Sequence, residues 1–539
     1  MDALIISYSE PSRSRERHQF FNETSRTGSG WGRFLHSNYI GFDNDILLPN
    51  HLASLAELTK KTSNIAKTSD GLYLYSDINT YSAWKIPMLG GIYLYQYLKS
   101  IGFSTSIIQH VQFEQEQLDD YLKQAPKVIG ISTTLLLNPL DITELVKYCR
   151  KKSPASLIVL GGMSIWNSYL ANKHDPNLFK LYRADIAVID AKGVKTLGAI
   201  VSAVVNNNSI DEIPNLIIYK NSAPKVTPQK PETFDFGTDG ICWDLVEPNL
   251  MGRLSLIRTQ ISCPFACSFC SYPTSQGTVV KTGLDSFEQE LKILHKRGVT
   301  YLLFIDDTFN VPPERFKEML QILKRFAFRW YAFIRCQYLD KQQVIDMRDS
   351  GCGGAYLGIE SGSNEILTLM NKRARRADYL RGVELLESAE IPTYASFIVG
   401  FPGETDNTIM DTISFIEHSG ISFYNVKIFY YDHTTPIASK REAFNLTGQG
   451  MNWTHRTMNS ADAFDYSENI IKTVNQVPYI PQHSGEIWEI AYFHEKGFTN
   501  NKLQMLYKTF SLMMQDDLNR SDTREQNQKL LFQQLVDSL

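Results

Sequence analysis

Between about residues 86 and 220, short apolar runs rich in β-branched residues alternate with longer amphipathic stretches. They read PMLGGIYLYQYLKSIGF, STSIIQH, KVIGIST, DITELVKYCRKK, SLIVLGG, ADIAVID, VKTLGAIVSAV and NLIIY. Strand-sized runs separated by helix-sized ones predict a doubly wound parallel sheet, a Rossmann-like α/β domain over residues 1–220. STTLLLNP (132–139) and GGMSIW (161–166) fall just after strands, where open α/β sheets bind ligands.

Residues 221–250 are rich in Pro, Gly and polar residues with little periodicity, which predicts an irregular linker. A second alternating series follows. SLIRTQIS leads it, and DSFEQELKILHKRG puts Phe287, Leu291 and Leu294 on one helical face with Gly298 as a stop. TYLLFI, WYAFIRC, GAYLGIE, TYASFIVG and NVKIFYY continue it, with helical stretches between them. Six strands, each but the last followed by a helix, predict a partial (β/α)6 barrel over residues 251–430, with reactive groups at the C-terminal strand ends. Beyond residue 431 the alternation stops, and helical pattern returns in KLQMLYKTFSLMMQDDL. Residues 431–539 are expected to form an α-rich region that covers the barrel mouth and contacts substrate.

The bulk numbers restrict the class without naming a chemistry. A chain of 539 residues exceeds what one core organises, so two to four domains are expected. Hydrophobic residues at 43% and charged residues at 21% are ordinary for a soluble globular protein. A net charge of -4 without a long Lys/Arg cluster gives no field for a phosphate backbone, which argues against nucleic acid. The start, MDALIISYSEP, lacks a basic leader, and no long uncharged apolar stretch follows, so neither membrane nor secretion is expected. Seven Cys, an odd and sparse set, fit a reducing, cytoplasmic compartment.

Three of those seven change the picture. Cys263, Cys267 and Cys270 form C-x3-C-x2-C in the loop after the first barrel strand. Three thiolates suit an iron site, whereas a structural zinc takes four ligands and no fourth Cys stands nearby. With three ligands, one iron of a [4Fe-4S] cluster stays open to chelate a small molecule. The bland alternatives are three structural thiols, or a zinc site with a distant ligand.

C-x3-C-x2-C with the aromatic Phe269 before the third Cys resembles the radical S-adenosylmethionine (SAM) superfamily, and the resemblance covers residues 255–430. It implies that the open iron binds the amino and carboxylate groups of SAM and that an electron from the cluster cleaves the S–C5′ bond. An electron donor such as a flavodoxin or ferredoxin is implied with it. Further positions match the superfamily: Asp306 and Asp307 in IDDTF as polar contacts to the methionine amino group, and Arg335 as partner of the SAM carboxylate. Glu360 and Ser361 in GIESG would lie near ribose and amino groups, and Gly400 and Gly403 in GFPGET near adenine. Asp306 could instead cap the next segment, Arg335 could form a surface ion pair, and the glycines could merely turn the chain.

An α/β domain before such a barrel looks like the arrangement in cobalamin-binding radical SAM enzymes. STTLLLNP and GGMSIW stand where that family touches the corrin, but Lys192 and Lys195 in DAKGVKTL replace its usual acidic turn, which counts against cobalamin. SEPSRSR, CPFACSFCSYP and the run from Trp453 to Met458 resemble proteusin-type peptide epimerases and cobalamin-dependent radical SAM methyltransferases. Epimerisation needs a thiol near the substrate radical to return a hydrogen atom. Cys149 and Cys242 read as packing residues, which leaves Cys336, after Arg335, and secondly Cys352. Tyr272, Tyr356 and Tyr430 could relay hydrogen, and His433, Trp453 and His455 could form a substrate surface. The sequence favours epimerisation of a ribosomal precursor peptide, with cobalamin-dependent methylation of carbon or phosphorus in a peptide or small molecule as the alternative.

Overall fold

The computed structural model describes residues 1–9, 65–67, 73–75, 85–136, 139–172, 174–219, 223–480 and 486–519, with residues 527, 530, 531 and 534 beyond them. All of SEPSRSR but Ser9 lies outside the described residues, as do positions 137 and 138 of STTLLLNP.

The first sheet has seven strands: β1 (Ala3–Ile6), β2 (Thr105–Ile108), β3 (Val128–Ser132), β4 (Leu157–Gly161), β5 (Ile186–Val188), β6 (Leu216–Ile218) and β7 (Lys225–Val226). Their order is β2-β1-β3-β4-β5-β6-β7, the first five parallel and the last two antiparallel. Helices on both faces bury β1 and β3 throughout, which is why such strands read as unbroken apolar runs. Leu89–Ser100 and Val194–Val205 share one core through Tyr95, Leu98, Leu197 and Ile200. Gln115–Lys123, Pro139–Lys152 and Met163–Ala171 close the other face through Leu118, Leu145 and Ile165. The N-terminal apolar run is thus a central strand, paired with β2 about a hundred residues later in sequence, a separation no local pattern reveals. Chain direction across the sheet reverses between β1 and β3, the switch point of a doubly wound fold.

The second sheet holds β8 (Leu254–Ile257), β9 (Tyr301–Phe304), β10 (Arg329–Phe333), β11 (Cys352–Glu360), β12 (Thr393–Val399) and β13 (Phe423–Ile428), all parallel and in chain order. Helices follow the strands on the outside. In the first of them, Leu284–Lys296, Phe287, Leu291 and Leu294 are the buried face, and Gly298 at φ 84° ends the segment. The architecture is therefore a Rossmann-like domain followed by a partial six-stranded barrel and a helical C-terminal region.

Two expected boundaries look different in three dimensions. The segment expected to be a linker contains β7, and its Trp243 is buried against the barrel, donating to Glu290 at 2.8 Å. The helix Glu486–Glu495, in the region expected to cover the mouth, lies against the strands themselves. It packs along the inner side of the sheet, where His494 Nδ1 lies 2.6 Å from the Tyr331 hydroxyl and its carbonyl accepts from Tyr301 at 3.1 Å. One core runs from the barrel into Met88, Leu89 and Ile92, so the two sheets are joined by packing as well as by chain. No described helix is long and apolar enough to cross a membrane.

Candidate active site at the domain interface

The cysteine loop leaves the C-terminal end of β8. Its base is closed by a short antiparallel ribbon, Gln260–Ile261 with Val280–Lys281, and by Ser262, at φ 68°, donating to the Gly277 carbonyl at 2.7 Å. Inside it, Cys270 N–H donates to the Cys267 carbonyl at 3.1 Å, while Ser268 binds the Met370 and Leu369 carbonyls and Asn371 binds Ala266. The loop is therefore held from both sides.

Burial pushes the Cys270 thiol up to about 12, the charges of Cys267, Asp307 and Cys263 adding to it, and burial likewise raises Cys263. Coordination to iron supplies the positive charge that deprotonates such thiols, so the donor set fits an iron–sulfur cluster. Among the described residues no three His, Cys, Asp or Glu side chains converge closely enough to hold one ion. A cluster with a thiolate at each of three corners needs a wider cradle.

Two cations brace this loop. Arg335 donates to Cys267 Sγ at 3.2 Å and to the Lys372 carbonyl at 3.1 Å, and stacks on Phe265 with 3.6 Å from Cζ to the ring centre. Lys372, which the sequence did not single out, pairs with Glu360 at 3.2 Å and lies 5.7 Å from the Phe269 ring centre. Glu360 sits at φ 71° beside a register shift in β11, so the backbone is turned to deliver this carboxylate.

Several expected contacts are used up within the protein. Asp306 Oδ1 accepts from Thr259 and Gln260 N–H at 2.8 and 2.9 Å, and Oδ2 from the Thr259 hydroxyl at 2.5 Å. It ties β9 to the start of the cysteine loop, which is neither the cap of the next segment nor a free ligand contact. Ser361 is wholly buried, accepts from Ser363 N–H at 3.1 Å and faces Thr412. In GFPGET, Gly400 and Gly403 have φ 93° and 106°, and Glu404 accepts from Gly400 and Phe401 N–H, so the turn closes on itself. Trp453 and His455 stack on each other and clamp this turn, His455 Nε2 standing 3.0 Å from the Gly400 carbonyl. His433 is exposed and packs on Tyr431.

The two candidate hydrogen donors are also elsewhere. Cys336 is buried against helix Arg376–Ser388, and a Cβ added at Gly382 would lie 2.8 Å from its own Cβ. It belongs to the outer layer because β10 ends at Phe333 and the chain then turns outward in a 3-10 segment, Cys336–Tyr338. Cys352 opens β11 opposite Trp330, at the strand's N-terminal end. Neither thiol lines the cavity described next.

Between the two sheets lies a cavity of about 1810 Å³, including the part open to solvent. Its N-terminal wall comes from the switch point: Ser7 after β1, Ser132 and Thr134 around the end of β3, Gly161 and Gly162 at the end of β4, and Lys192 and Gly193 after β5. Gly162, at φ 116°, approaches the Thr134 backbone so closely that an added Cβ would lie 2.9 Å from its nitrogen. Lys192 lines the cavity, whereas Lys195 turns away to Asp239 at 2.9 Å, and Asp190 braces the turn through Lys192 and Gly193 N–H.

The barrel wall of the same cavity includes Arg258, Tyr272, Asp307, Phe333 and Trp488. Asp307 is exposed to this space, yet desolvation pushes its carboxyl up to about 6 against the pull of Arg258. Arg258 was also missed by the sequence reading. It follows β8 directly, and RTQ carries no motif.

A cysteine cradle at the C-terminal end of a parallel partial barrel, packed against a Rossmann-like sheet with a cavity at its switch point, fits an iron–sulfur enzyme. Residues 257–416 match the model described as the radical SAM superfamily, so this part of the chain is a radical SAM domain; such domains use a [4Fe-4S] cluster and SAM, and their enzymes need an electron donor. An uncharacterized methyltransferase of Pyrococcus horikoshii is 24% identical over 308 residues, covering 55% of this chain and 65% of that protein. Bacteriochlorophyllide d C-12(1)-methyltransferase of Chlorobaculum tepidum is 29% identical over 214 residues, covering 38% and 46%. The chain spans about half to two thirds of the length of these relatives.

Among solved structures, TsrM of Kitasatospora setae, a radical SAM methyltransferase with cobalamin and a [4Fe-4S] cluster bound, has a TM-score of 0.56 at 17% identity, over 84% of this chain and 97% of that one. OxsB, a cobalamin-dependent SAM radical enzyme with aqua-cobalamin and SAM bound, has a TM-score of 0.55 at 13% identity, over 84% and 82%. These likenesses identify the fold.

Proposed function

We propose that this protein is a cobalamin-dependent radical SAM methyltransferase acting on a carbon or phosphorus centre. The observation that carries the reading is the cavity, which joins the switch point of the first sheet to the barrel wall at Arg258, Tyr272 and Asp307, and the charge of Asp307 is felt by Cys263 and Cys270. Cys263, Cys267 and Cys270 would hold the cluster. Arg335, Lys372 and Glu360 would meet the polar end of SAM, with Asp307 facing the cavity. Ser132, Thr134, Gly161, Gly162, Lys192 and Gly193 would seat a corrin. When bound, these groups supply one-electron cleavage of a sulfonium and a transferable methyl group.

The residues of the chain itself then have definite work. Arg335 donates to the Cys267 sulfur and so offsets thiolate charge, and the buried Lys372–Glu360 pair fixes the wall beside Phe269. Apolar lining such as Met88, Leu89, Phe333 and Trp488 excludes water, which protects a reactive intermediate from quenching. Neither Cys336 nor Cys352 lines the cavity, and the cluster thiols do not either, so the peptide epimerase expected from sequence gains no support from it. The named relatives and TsrM are methyltransferases, which favours the alternative. A precursor peptide remains a candidate substrate and a flavodoxin or ferredoxin the candidate electron donor. The test is to reconstitute the protein with iron, sulfide and hydroxocobalamin, remove unbound corrin, and record the visible spectrum. Retained corrin near one per chain is expected. A protein that cleaves SAM but holds no corrin would overturn the proposal.

A further inference from the structure

Arg258 is a partly buried cation in the cavity wall, favoured by the surrounding charges of Asp306 and Asp307 but without an ion pair among the described residues. Its Nε is fully shielded and unpartnered, and among the described residues it makes no hydrogen bond or ion pair. The carboxylates nearest in charge do not supply one: Asp306 is occupied by Thr259 and Gln260, and Asp307 is felt only through space. The desolvation of this guanidinium is offset by the charges of Asp306 and Asp307, yet neither meets its shielded Nε. Its retention in a largely apolar cavity calls for an acceptor that arrives with a ligand. Asp307 stands in the same wall at the end of the neighbouring strand β9, so the cavity offers one fixed donor fork and one fixed acceptor.

The ligand chemistry follows from that pair. A carboxylate or phosphate would suit Arg258 but be repelled by Asp307, and an ammonium group the reverse. A neutral primary carboxamide presents a carbonyl oxygen and an NH2 group side by side and satisfies both. We propose that Arg258 and Asp307 form a carboxamide clamp, the guanidinium donating to the amide oxygen and the carboxylate accepting from the amide N–H. The amide comes either from the rim of a corrin, in which case the inference rests on the methyltransferase reading, or from a substrate such as a peptide amide, in which case it does not.

Arg258→Met and Asp307→Asn, reconstituted with iron and sulfide beside the parent, test this. Hydroxocobalamin is titrated by visible absorption, and a blocked dipeptide amide is titrated by calorimetry into protein already given corrin. Weakening of hydroxocobalamin by about tenfold or more in Arg258→Met, the effect of losing a charge-assisted hydrogen bond, assigns the clamp to the corrin. Unchanged corrin with an equal loss for the dipeptide amide assigns it to the substrate. In both cases Asp307→Asn weakens the same probe as Arg258→Met, because each removes one half of the clamp. If both variants bind both probes as the parent does, or if Arg258→Met melts markedly lower with binding intact, Arg258 is structural and the clamp is overturned. A parent that binds the amide but no corrin sinks the methyltransferase reading and leaves the clamp standing; one that binds neither overturns both.

Discussion

The two sides of the barrel mouth treat charge in opposite ways. Beside the cysteine loop, Arg335 and Lys372 are fully engaged, with Cys267, a backbone carbonyl and Glu360. Beside the cavity, Arg258 and Asp307 line the wall without an ion pair among the described residues. The first arrangement builds a rigid cradle before any ligand arrives. The second leaves polar atoms to be satisfied on binding, so the cradle would present a preorganised polar wall to its ligand whereas the cavity completes its polar contacts with one.

The strongest test of the cradle removes it. Cys263→Ala, Cys267→Ala or Cys270→Ala leaves fewer than three thiolates, and reductive cleavage of SAM is expected to fall to background in each, with iron content well below that of the parent. Near-parental SAM cleavage in any one would separate that Cys from the cluster.

Next in size is the buried pair. Lys372→Met leaves Glu360 charged, buried and in a left-handed backbone, and should cost about 3–5 kcal/mol in urea unfolding. Adding Glu360→Gln should recover most of that. If the single variant costs under about 1 kcal/mol, solvent reaches the pair and the cradle is softer than the hydrogen bonds imply.

Much of this was legible in sequence. The succession of barrel strands and the cysteine loop follow from runs whose period and spacing are local, whereas the place of β1 at the centre of the first sheet does not. What was not legible depends on contacts between distant segments or on the direction a side chain takes beyond a strand end. Asp306 lies one residue from Asp307, yet one is spent on Thr259 and Gln260 while the other faces the cavity. Cys336 sits just beyond a barrel strand end, as expected, but the turn after Phe333 aims it outward. Lys372 and Arg258 lie in segments without periodicity or motif, and helix Glu486–Glu495 looks like any amphipathic helix until the sheet it lines is known.

A third, smaller test uses pH. Glu404 is buried in the GFPGET turn, and burial raises its carboxyl from 4.5 to about 8 despite two backbone donors. A raised carboxyl binds its proton more tightly when folded. Its contribution to stability is therefore complete below about pH 4.5 and is lost as pH rises towards 8. Glu404→Gln removes this dependence, so its urea midpoint relative to the parent should rise between those pH values. A parallel fall of both proteins would assign the dependence to other groups.

The smallest expected effect bears on the thiols. Cys336→Ala removes a small buried side chain from the layer between β10 and helix Arg376–Ser388, with a cost of about 1 kcal/mol, since only one polarisable atom and its contacts are lost. SAM cleavage should be unchanged, and so should the ratio of SAM consumed to product formed, because no hydrogen atom is drawn from a side chain that faces away from the cavity. Incubation in D2O sharpens this: deuterium returned to a substrate carbon by the parent but not by Cys336→Ala would place that thiol back at the radical. The outward turn after Phe333 would then have to open during turnover. Equal isotope content in the two proteins leaves Cys336 as a packing residue and the cavity without a thiol donor from this strand.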